Sequence, residues 1–252
     1  MIDLKDKNIL VVGASSGIGE KTAVVLAEQG AHVILLARRE SRLIEVCNSI
    51  GGDKASYYLC DVTEIDSIES VVKKIVVDHG KLDGMAYVAG ITEGDVPVKF
   101  LTYERQLNTF KTNYFAFVEF IRQVTKRGVY NDGLRIVAVS SIASLIGEKA
   151  HVPYSASKAA MDSSIRCLAK ELGSRGICIN SVAPGMVNTD MHQRFLDVQG
   201  EDSDANLRAV GRQYLGLAEA RDIANAVAFL MSPDARFITG ITLPVDGGFT
   251  TT

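Results

Sequence analysis

The sequence predicts an α/β fold in which one parallel sheet is covered by helices on both faces. Short apolar runs alternate with longer amphipathic segments along the chain, and this repetition is typical of parallel strands joined by right-handed crossovers. The first two runs, Asn8–Val12 and His32–Ala37, are apolar without alternation, as in strands buried on both faces. No linker rich in Pro, Gly or Ser divides the chain, so we expect a single domain over residues 1–252.

The elements follow one another in a regular order. Seven runs are predicted as strands, namely Asn8–Val12, His32–Ala37, Ala55–Cys60, Gly84–Ala89, Arg135–Ser140, Cys178–Ala183 and Ile241–Val245. Six segments are predicted as helices, namely Ile18–Gln29, Arg39–Ile50, Ile65–Asp78, Tyr103–Lys126, Tyr154–Leu172 and Glu219–Met231. This order predicts a doubly wound, seven-stranded sheet, and such folds bind ligands at the carboxyl ends of their strands.

Composition excludes several classes of protein. The chain is 47% hydrophobic with a net charge of −3 and has no long basic run, so nonspecific nucleic-acid binding is not predicted. Cys47, Cys60, Cys167 and Cys178 lack the spacing of a metal clip or a disulfide framework, and thiols in or beside apolar runs are commonly buried. No run is long enough to span a bilayer. We expect a cytoplasmic protein with buried free thiols, no metal and no membrane partner.

A polar segment over residues 188–216 interrupts the regular order after the sixth predicted strand. Long loops in compact domains are more often functional than idle. We therefore predict a substrate loop or lid here, with a plain surface excursion as the alternative.

The first predicted strand runs into a glycine-rich turn, where Gly13, Gly17 and Gly19 follow a G-x-x-x-G-x-G spacing. Glycines at a strand-to-helix junction let backbone N–H groups approach a pyrophosphate, and the positive end of the next helix points to the same place. The spacing differs from G-x-G-x-x-G and lacks the lysine of a P-loop. We interpret the turn as a dinucleotide site rather than as a tight turn that binds nothing.

Tyr154 and Lys158 are four residues apart in a predicted helix and so share one of its faces. A nearby ammonium favours the phenolate, so such a pair can transfer a proton near neutral pH. Ser140 and Ser141 end the fifth apolar run, where a hydroxyl can bind a substrate oxygen; a serine that merely starts a loop is the alternative. No G-x-S-x-G turn surrounds them, so Ser-His-Asp hydrolysis is not predicted.

Together these motifs resemble the short-chain dehydrogenase/reductase family over nearly the whole chain. The glycine turn matches that family, and Asp246-Gly247-Gly248 resembles its C-terminal signature. The resemblance implies a Rossmann-type fold and the catalytic set Asn113, Ser141, Tyr154 and Lys158.

The resemblance also implies where a dinucleotide binds. Asp61-Val62 resembles the pair that meets the adenine, and the turn 184–189 resembles the one that holds the nicotinamide amide. The predicted cofactor set is Gly13, Ser15, Ser16, Gly17, Ile18, Gly19, Arg38, Arg39, Asp61, Val62, Ala89, Gly90, Tyr154, Lys158, Pro184, Gly185, Val187 and Thr189. Two places depart from the family. Val12 stands where it usually has Thr, and Tyr87-Val88 stands where it usually has two asparagines, which puts local packing and adenosine contacts in question.

The end of the second predicted strand indicates which dinucleotide is used. In this topology an acidic residue there binds the ribose 2′-hydroxyl of NAD, whereas an arginine accommodates the 2′-phosphate of NADP. Here the chain reads Ala37-Arg38-Arg39, with no acid before Glu40. A guanidinium binds phosphate oxygens bidentately, and Ser15 adds a hydroxyl. We predict NADP (NADPH) over NAD; the alternative is that the arginines begin a solvated helix.

The expected reaction is hydride transfer between nicotinamide and a carbonyl or alcohol. By resemblance, Tyr154 supplies the proton, Lys158 lowers its pKa and holds the ribose, Ser141 positions the carbonyl, and Asn113 anchors a water. The chain looks nearest to 3-oxoacyl-[acyl-carrier-protein] reductases, with sugar, steroid or small-ketone reductases as alternatives, because a fold does not fix a substrate. A nucleotide-binding sensor or scaffold without turnover is the non-enzymatic alternative.

The resemblance implies a homotetramer or homodimer. We expect the long predicted helices Tyr103–Lys126 and Tyr154–Leu172 to supply an interface through apolar faces that include Phe110, Phe117 and Phe120. A stripe that faces the core would have the same pattern.

Overall fold

The computed structural model describes residues 2–199 and 210–251. Within these ranges, seven parallel strands form the main sheet in the order β3-β2-β1-β4-β5-β6-β9, which confirms the predicted architecture. The strands are β1 (Asn8–Val12), β2 (His32–Ala37), β3 (Ala55–Leu59), β4 (Leu82–Tyr87), β5 (Tyr130–Val139), β6 (Cys178–Pro184), β7 (Val187–Asn188), β8 (Ala218–Glu219) and β9 (Thr242–Val245). The short strands β7 and β8 pair with each other outside the main sheet.

Helices cover both faces of the sheet. In chain order they are α1 (Gly17–Glu28), α2 (Glu40–Ile50), α3 (Ile68–His79), α4 (Tyr103–Phe110), α5 (Ala116–Val124), α6 (Ala143–Ile146), α7 (Val152–Leu172), α8 (Asp190–Gln199) and α9 (Ala220–Met231). The apolar sides of α1, α2 and α9 pack together on one face, and those of α3, α5 and α7 on the other.

The first strand shows why the sheet needs cover on both sides. Ile9 and Val11 pack into the core with α1 and α9, while Leu10 and Val12 pack into the opposite core with α5 and α7. All four side chains are at most 2% exposed. Complete burial of one such side chain stabilises the fold by about 1.5–3 kcal/mol. Because both faces of this central strand are apolar, it contributes to the cores on both sides of the sheet.

Several predicted boundaries differ from the structure. The strand β4 begins at Leu82 and ends at Tyr87, and β5 begins at Tyr130, five residues before the predicted start. The pairing of Leu82 with Tyr130 precedes a register shift in the ladder, which a periodicity argument cannot detect. The predicted helix Tyr103–Lys126 is interrupted because residues Lys111–Phe115 form a π-helical turn.

Two further expectations meet the structure only in part. The helix α8 occupies the start of the predicted substrate loop, whereas residues 200–209 of that loop lie outside the described residues. The thiol of Cys60 is buried, whereas Cys47 and Cys178 are partly buried and Cys167 on α7 is exposed. The expected burial is therefore wrong for Cys167 and incomplete for Cys47 and Cys178. Across residues 2–199 and 210–251, no helix combines the length and the hydropathy that a bilayer crossing needs.

Candidate active site

One face of α7 carries the predicted proton-transfer pair. The helix starts at Val152 with Pro153 in its first turn, where a missing backbone N–H has no cost. One turn separates Tyr154 from Lys158, and the Lys158 Nζ lies 5.8 Å from the centre of the Tyr154 ring. Lys158 is 3% exposed, so its ammonium is nearly removed from water.

The end of β5 meets this face of α7. The Lys158 Nζ donates to the carbonyl oxygen of Val139 at 2.7 Å. The next two residues point in different directions: the Ser141 hydroxyl lies close enough to the Tyr154 hydroxyl to lower its pKa, whereas Ser140 turns inward and donates to Asp162 at 2.8 Å. Ser141, and not Ser140, therefore lies beside the phenol.

The π-helical turn places Asn113 next to the pair. Its side chain is fully buried; the Oδ1 accepts from the backbone N–H of Ile91 at 2.8 Å, and the Nδ2 donates to the Ile91 carbonyl and to the Ser157 hydroxyl, both at 3.0 Å. A β-carbon added to Gly90 would lie 3.3 Å from the Lys158 Nζ and 3.5 Å from the Asn113 Oδ1. The loop after β4 thus packs directly on the predicted catalytic set, and π-turns are frequent at functional sites.

A tyrosine takes over the place where the family usually has an asparagine. Tyr87 is fully buried, donates its hydroxyl to the carbonyl of Thr112, and packs against the ring of Phe117 with centroids 5.5 Å apart. Because Thr112 precedes Asn113, this hydrogen bond ties β4 to the π-helical turn. The departure from the family pattern therefore leaves the central strands and the site connected by a different side chain.

Burial moves the ionisation of both α7 groups toward their neutral forms. Burial lowers the pKa of Lys158 to about 8, against the opposing effect of the Asp162 carboxylate. Burial also raises the pKa of Tyr154, while the hydrogen bond with Ser141 acts in the opposite direction. The phenol consequently holds its proton at neutral pH, as a proton donor must.

The glycines of the turn cannot be replaced without a clash or a strained backbone. A β-carbon at Gly13 would lie 2.5 Å from the backbone nitrogen of Ala89, and Gly17 has a φ of +55° with the methyl group of Thr189 3.4 Å from its β-carbon position. The side chain of Ser16, the N-cap of α1, makes no capping hydrogen bond to the helix backbone, so the first N–H groups of the helix, around Ile18, are available to an anion. This cradle fits the pyrophosphate of a dinucleotide.

Two arginines follow β2 at the same edge of the sheet. The Arg39 guanidinium lies over the glycine turn and donates to the hydroxyls of Ser16 at 2.7 Å and Ser15 at 3.0 Å. Arg38 is largely exposed and pairs with Asp61 at 3.4 Å. Burial alone would raise the pKa of Asp61, but hydrogen bonds from Thr63 and the charge of Arg38 lower it. Val62, which follows Asp61, is buried.

The side chain of Gln213, which is not among the predicted site residues, holds the turn after β6 in place. The side chain of Gln213 is 3% exposed; it accepts from the N–H of Met186 and donates to the carbonyls of Met186 at 3.2 Å and Gly216 at 2.8 Å. Gly185 has no space for a β-carbon beside this amide. Pro184 and Val187 are buried on either side of Gly185. Gln213 lies in a polar stretch without periodicity, so no sequence signal marked it.

Comparisons with known proteins cover almost the whole chain. A family model described as enoyl-(acyl carrier protein) reductase matches residues 13–250. The chain is 36% identical to a 3-oxoacyl-[acyl-carrier-protein] reductase of Vibrio cholerae over 247 residues, which is 98% of each protein. It is also 36% identical to the L-xylulose reductase of Caenorhabditis elegans over 251 residues, 98% of this chain and 97% of that protein. A crystal structure of a dehydrogenase/reductase from Sinorhizobium meliloti 1021 superposes with a TM-score of 0.89 at 33% identity, covering 98% of this chain and 96% of that one.

Proposed function

The chain belongs to the short-chain dehydrogenase/reductase family, and from this premise we propose that it reduces a carbonyl group with NADPH. Membership makes it an NAD(P)-dependent oxidoreductase that moves a hydride between nicotinamide and a carbonyl or alcohol, as the sequence predicted. One observation carries the finer proposal. Asn113, Ser141, Tyr154 and Lys158 converge beside a turn whose glycines cannot carry side chains without strain or clash. We infer that one domain carries both the dinucleotide and the substrate.

The roles of the side chains follow from their contacts. Nicotinamide, when bound, supplies the hydride. The Ser141 hydroxyl, held by the N–H of Ala143 at 3.2 Å and by Tyr154, binds the substrate oxygen. Tyr154 donates its proton to that oxygen, and the Lys158 ammonium stabilises the phenolate that forms. A positioned general acid contributes ~10²–10⁴-fold to rate. The predicted water on Asn113 stays a prediction; its side chain holds the loop at Ile91.

The arrangement after β2 supports NADP rather than NAD. Arg38 and Arg39 both lie at the strand end that faces the glycine turn, and Ser15 offers its hydroxyl there. The Asp61 carboxylate is already bonded to Thr63 and Arg38, so the 2′-phosphate would meet two guanidinium groups. Charge-assisted bidentate contacts of this kind are the strong hydrogen bonds of phosphate recognition. The remaining members of the predicted cofactor set would hold the pyrophosphate, adenine and nicotinamide.

Two substrate classes are supported. A 3-oxoacyl thioester is the first candidate, because a reductase named for that substrate is 36% identical to the chain. A sugar is the second, because a sugar reductase is equally identical to the chain.

A direct assay separates the two candidates. The oxidation of NADPH is followed by its absorbance with acetoacetyl-CoA and with L-xylulose, and Tyr154→Phe measures the background. A kcat/KM at least tenfold higher for the thioester supports the first candidate, and the reverse supports the second. The absence of turnover with both compounds, and with a panel of steroids and small ketones, would contradict the proposal of an NADPH-dependent carbonyl reductase.

We propose a homodimer or homotetramer, but with an interface formed by other side chains than those that the sequence indicated. Phe117 and Phe120 are fully buried in the core, so the expectation that they form an interface is wrong: they follow the core-facing stripe of α5. Tyr103, Phe115 and Val118 are exposed on the same stretch of chain and would supply the apolar surface instead. A cytoplasmic location stays a prediction from the sequence.

A further inference from the structure

A buried carboxylate lies one helical turn beyond Lys158 and is absent from the predicted site. Asp162 is 3% exposed. Its Oδ2 accepts from Ser140 at 2.8 Å and from Ser144 at 2.6 Å, and its Oδ1 accepts from Ser181 at 2.7 Å. Charged side chains are almost never this buried unless they are paired or fully hydrogen-bonded. Three neutral hydroxyls, one directly after β5 and one each in α6 and β6, make a built site for a negative charge.

The contacts of Asp162 complete a regular attachment between α7 and the end of β5. Tyr154, Lys158 and Asp162 follow one another at intervals of four residues, so they share one face of the helix. They contact three consecutive residues at the end of the strand: Tyr154 contacts Ser141, Lys158 contacts the carbonyl of Val139, and Asp162 contacts the hydroxyl of Ser140. The strand end is thus held at Ser141 and at each of the two residues before it.

A second route leads from Asp162 to Ser141 itself. The Ser144 hydroxyl lies 2.6 Å from the Asp162 Oδ2 and 2.7 Å from the backbone oxygen of Ser141. On the far side, the Ser181 hydroxyl lies 3.0 Å from the hydroxyl of Thr242 in β9. The network therefore joins α6 and α7 to the neighbouring strands β5, β6 and β9.

We propose that Asp162 is a positioning residue of the active site, which fixes the strand end that carries Ser141 and keeps the buried Lys158 in its ammonium form. This inference rests on the proposed function for its catalytic meaning. Asp162 has no contact with Tyr154 or with the turn that would hold the dinucleotide among the hydrogen bonds of the described chain, so it acts through Ser141 and Lys158.

The surroundings of Lys158 explain why a carboxylate is needed there. Tyr154 and Asp162 face it from its own helix, the Asn113 amide from the π-helical turn, and the Val139 carbonyl from β5. Burial lowers the pKa of Lys158, and Asp162 opposes that change. The groups that face Asp162 from the other elements are serines, which stay neutral. Asp162 is therefore the charge, within the part of the chain that the structure describes, that offsets the burial of the ammonium.

The test measures Lys158 directly in the dinucleotide-free protein. Lysine labelled with ¹³C at Cε is followed by NMR across a pH titration, and Lys158→Met identifies its resonance. Asp162→Asn keeps the shape of the side chain and removes its charge. We expect the midpoint of Lys158 to fall by about one unit or more, the size of effect that a nearby opposite charge has. Ser181→Ala, which removes one hydrogen bond and keeps the carboxylate, should leave the midpoint unchanged.

An unchanged Lys158 midpoint in Asp162→Asn would overturn the proposal. An equal shift in Ser181→Ala would overturn it too, because the shift would then come from altered packing and not from the loss of the Asp162 charge. Asp162→Ser is a second neutral replacement with the same expected shift, should the Asn variant not fold. In the carbonyl-reduction assay, the alkaline limb of the pH–rate profile should move to lower pH in the neutral variants. A shifted NMR midpoint in a protein without reductase activity would refute the proposed function while leaving the role of Asp162 toward Lys158 intact.

Discussion

The carbonyl oxygen of Gly13 lies 2.0 Å from the position that a β-carbon on Gly19 would occupy. An alanine at position 19 cannot fit without movement of the strand end or of the first turn of α1. We expect Gly19→Ala to abolish measurable dinucleotide binding and to lower the free energy of unfolding by about 2–4 kcal/mol, the range of strong local clashes. Calorimetric titration with NADPH and urea denaturation measure the two effects.

Gly173→Ala is the matched control for that variant. Gly173 has no atom within 4 Å of its β-carbon position and has an ordinary helical backbone with a φ of −58°. The Gly173→Ala variant should bind NADPH as the wild type does and should be as stable as the wild type or slightly more stable. Normal binding in Gly19→Ala would show that the turn is not the pyrophosphate site.

Replacement of Tyr154 by phenylalanine removes the transferable proton and keeps the ring. Because the hydroxyl contacts Ser141 and not the glycine turn, we expect turnover to fall by ~10²–10⁴-fold with nearly unchanged NADPH affinity. Stopped-flow and fluorescence titration measure the two quantities. Tyr114→Phe, which removes a hydroxyl bonded to Ser164 at 3.0 Å, is the control and should keep its turnover. Near-normal turnover in Tyr154→Phe would show that Tyr154 is not the general acid.

The two arginines after β2 should have separable effects on dinucleotide affinity. Arg38 contacts Asp61 and leaves the glycine turn untouched, so Arg38→Ala should weaken NADPH binding by roughly ten- to a hundredfold, the value of one charged hydrogen bond, with little change for NADH. Arg39 also holds Ser15 and Ser16, so Arg39→Ala should weaken both dinucleotides.

Arg42→Ala is the control for these variants, because Arg42 pairs with Glu20 and Glu45 and should not affect binding. Dissociation constants for NADPH and NADH are measured side by side. A wild type that prefers NADH, or an Arg38→Ala variant that weakens both dinucleotides equally, would contradict the NADP assignment.

His151 should make stability depend on pH. Its Nδ1 lies 3.2 Å from Glu148 and its Nε2 lies 3.1 Å from Asp95. The hydrogen bond to Glu148 raises the pKa of the imidazole against the effect of burial, and Asp95 adds to the rise. A raised pKa in the folded state stabilises the fold fully below the unfolded value of about 6.5, and the contribution is lost as pH rises through the folded pKa.

The loss of unfolding free energy in His151→Gln should therefore be larger at pH 5.5 than at pH 9. Urea denaturation of both proteins at the two pH values gives the difference. An equal loss at both values would show that the two carboxylates do not stabilise the imidazolium.

Self-association should depend on the exposed apolar side chains near α4 and α5. We expect light scattering to give a dimer or tetramer at micromolar concentration, and Phe115→Glu with Val118→Glu to shift it toward monomer, because an apolar contact cannot absorb unpaired charges. Val77→Glu, on an 82% exposed residue of α3, is the control. A monomeric wild type would refute the assembly.

Much of the site was predictable because its groups follow strands or lie at fixed spacings on one helix. The four-residue spacing indicated Tyr154 and Lys158 as a candidate pair, and the end of an apolar run offered Ser140 and Ser141. The choice of Ser141 and the inclusion of Asn113 depended on the family resemblance. Asp162 was not predictable: a carboxylate in an amphipathic helix normally faces solvent, and its burial depends on three serines that are distant in sequence. The contact of Arg39 with Ser15 depends on how α2 departs from the sheet, which no local pattern encodes.

The π-helical turn at Lys111–Phe115 has a consequence for how this region can vary. An α-helix advances about 100° per residue, and the wider turn holds one residue more than a regular turn would. It lets Asn113 face Ile91 while Phe117 and Phe120, a few residues later, face the core. Removal of one residue within the turn would restore a regular helix and leave the residues beyond it on their present faces, because the extra residue is taken up inside the turn. The deletion would instead move Asn113 away from Ile91, so the extra residue serves the candidate site and not the packing of α5.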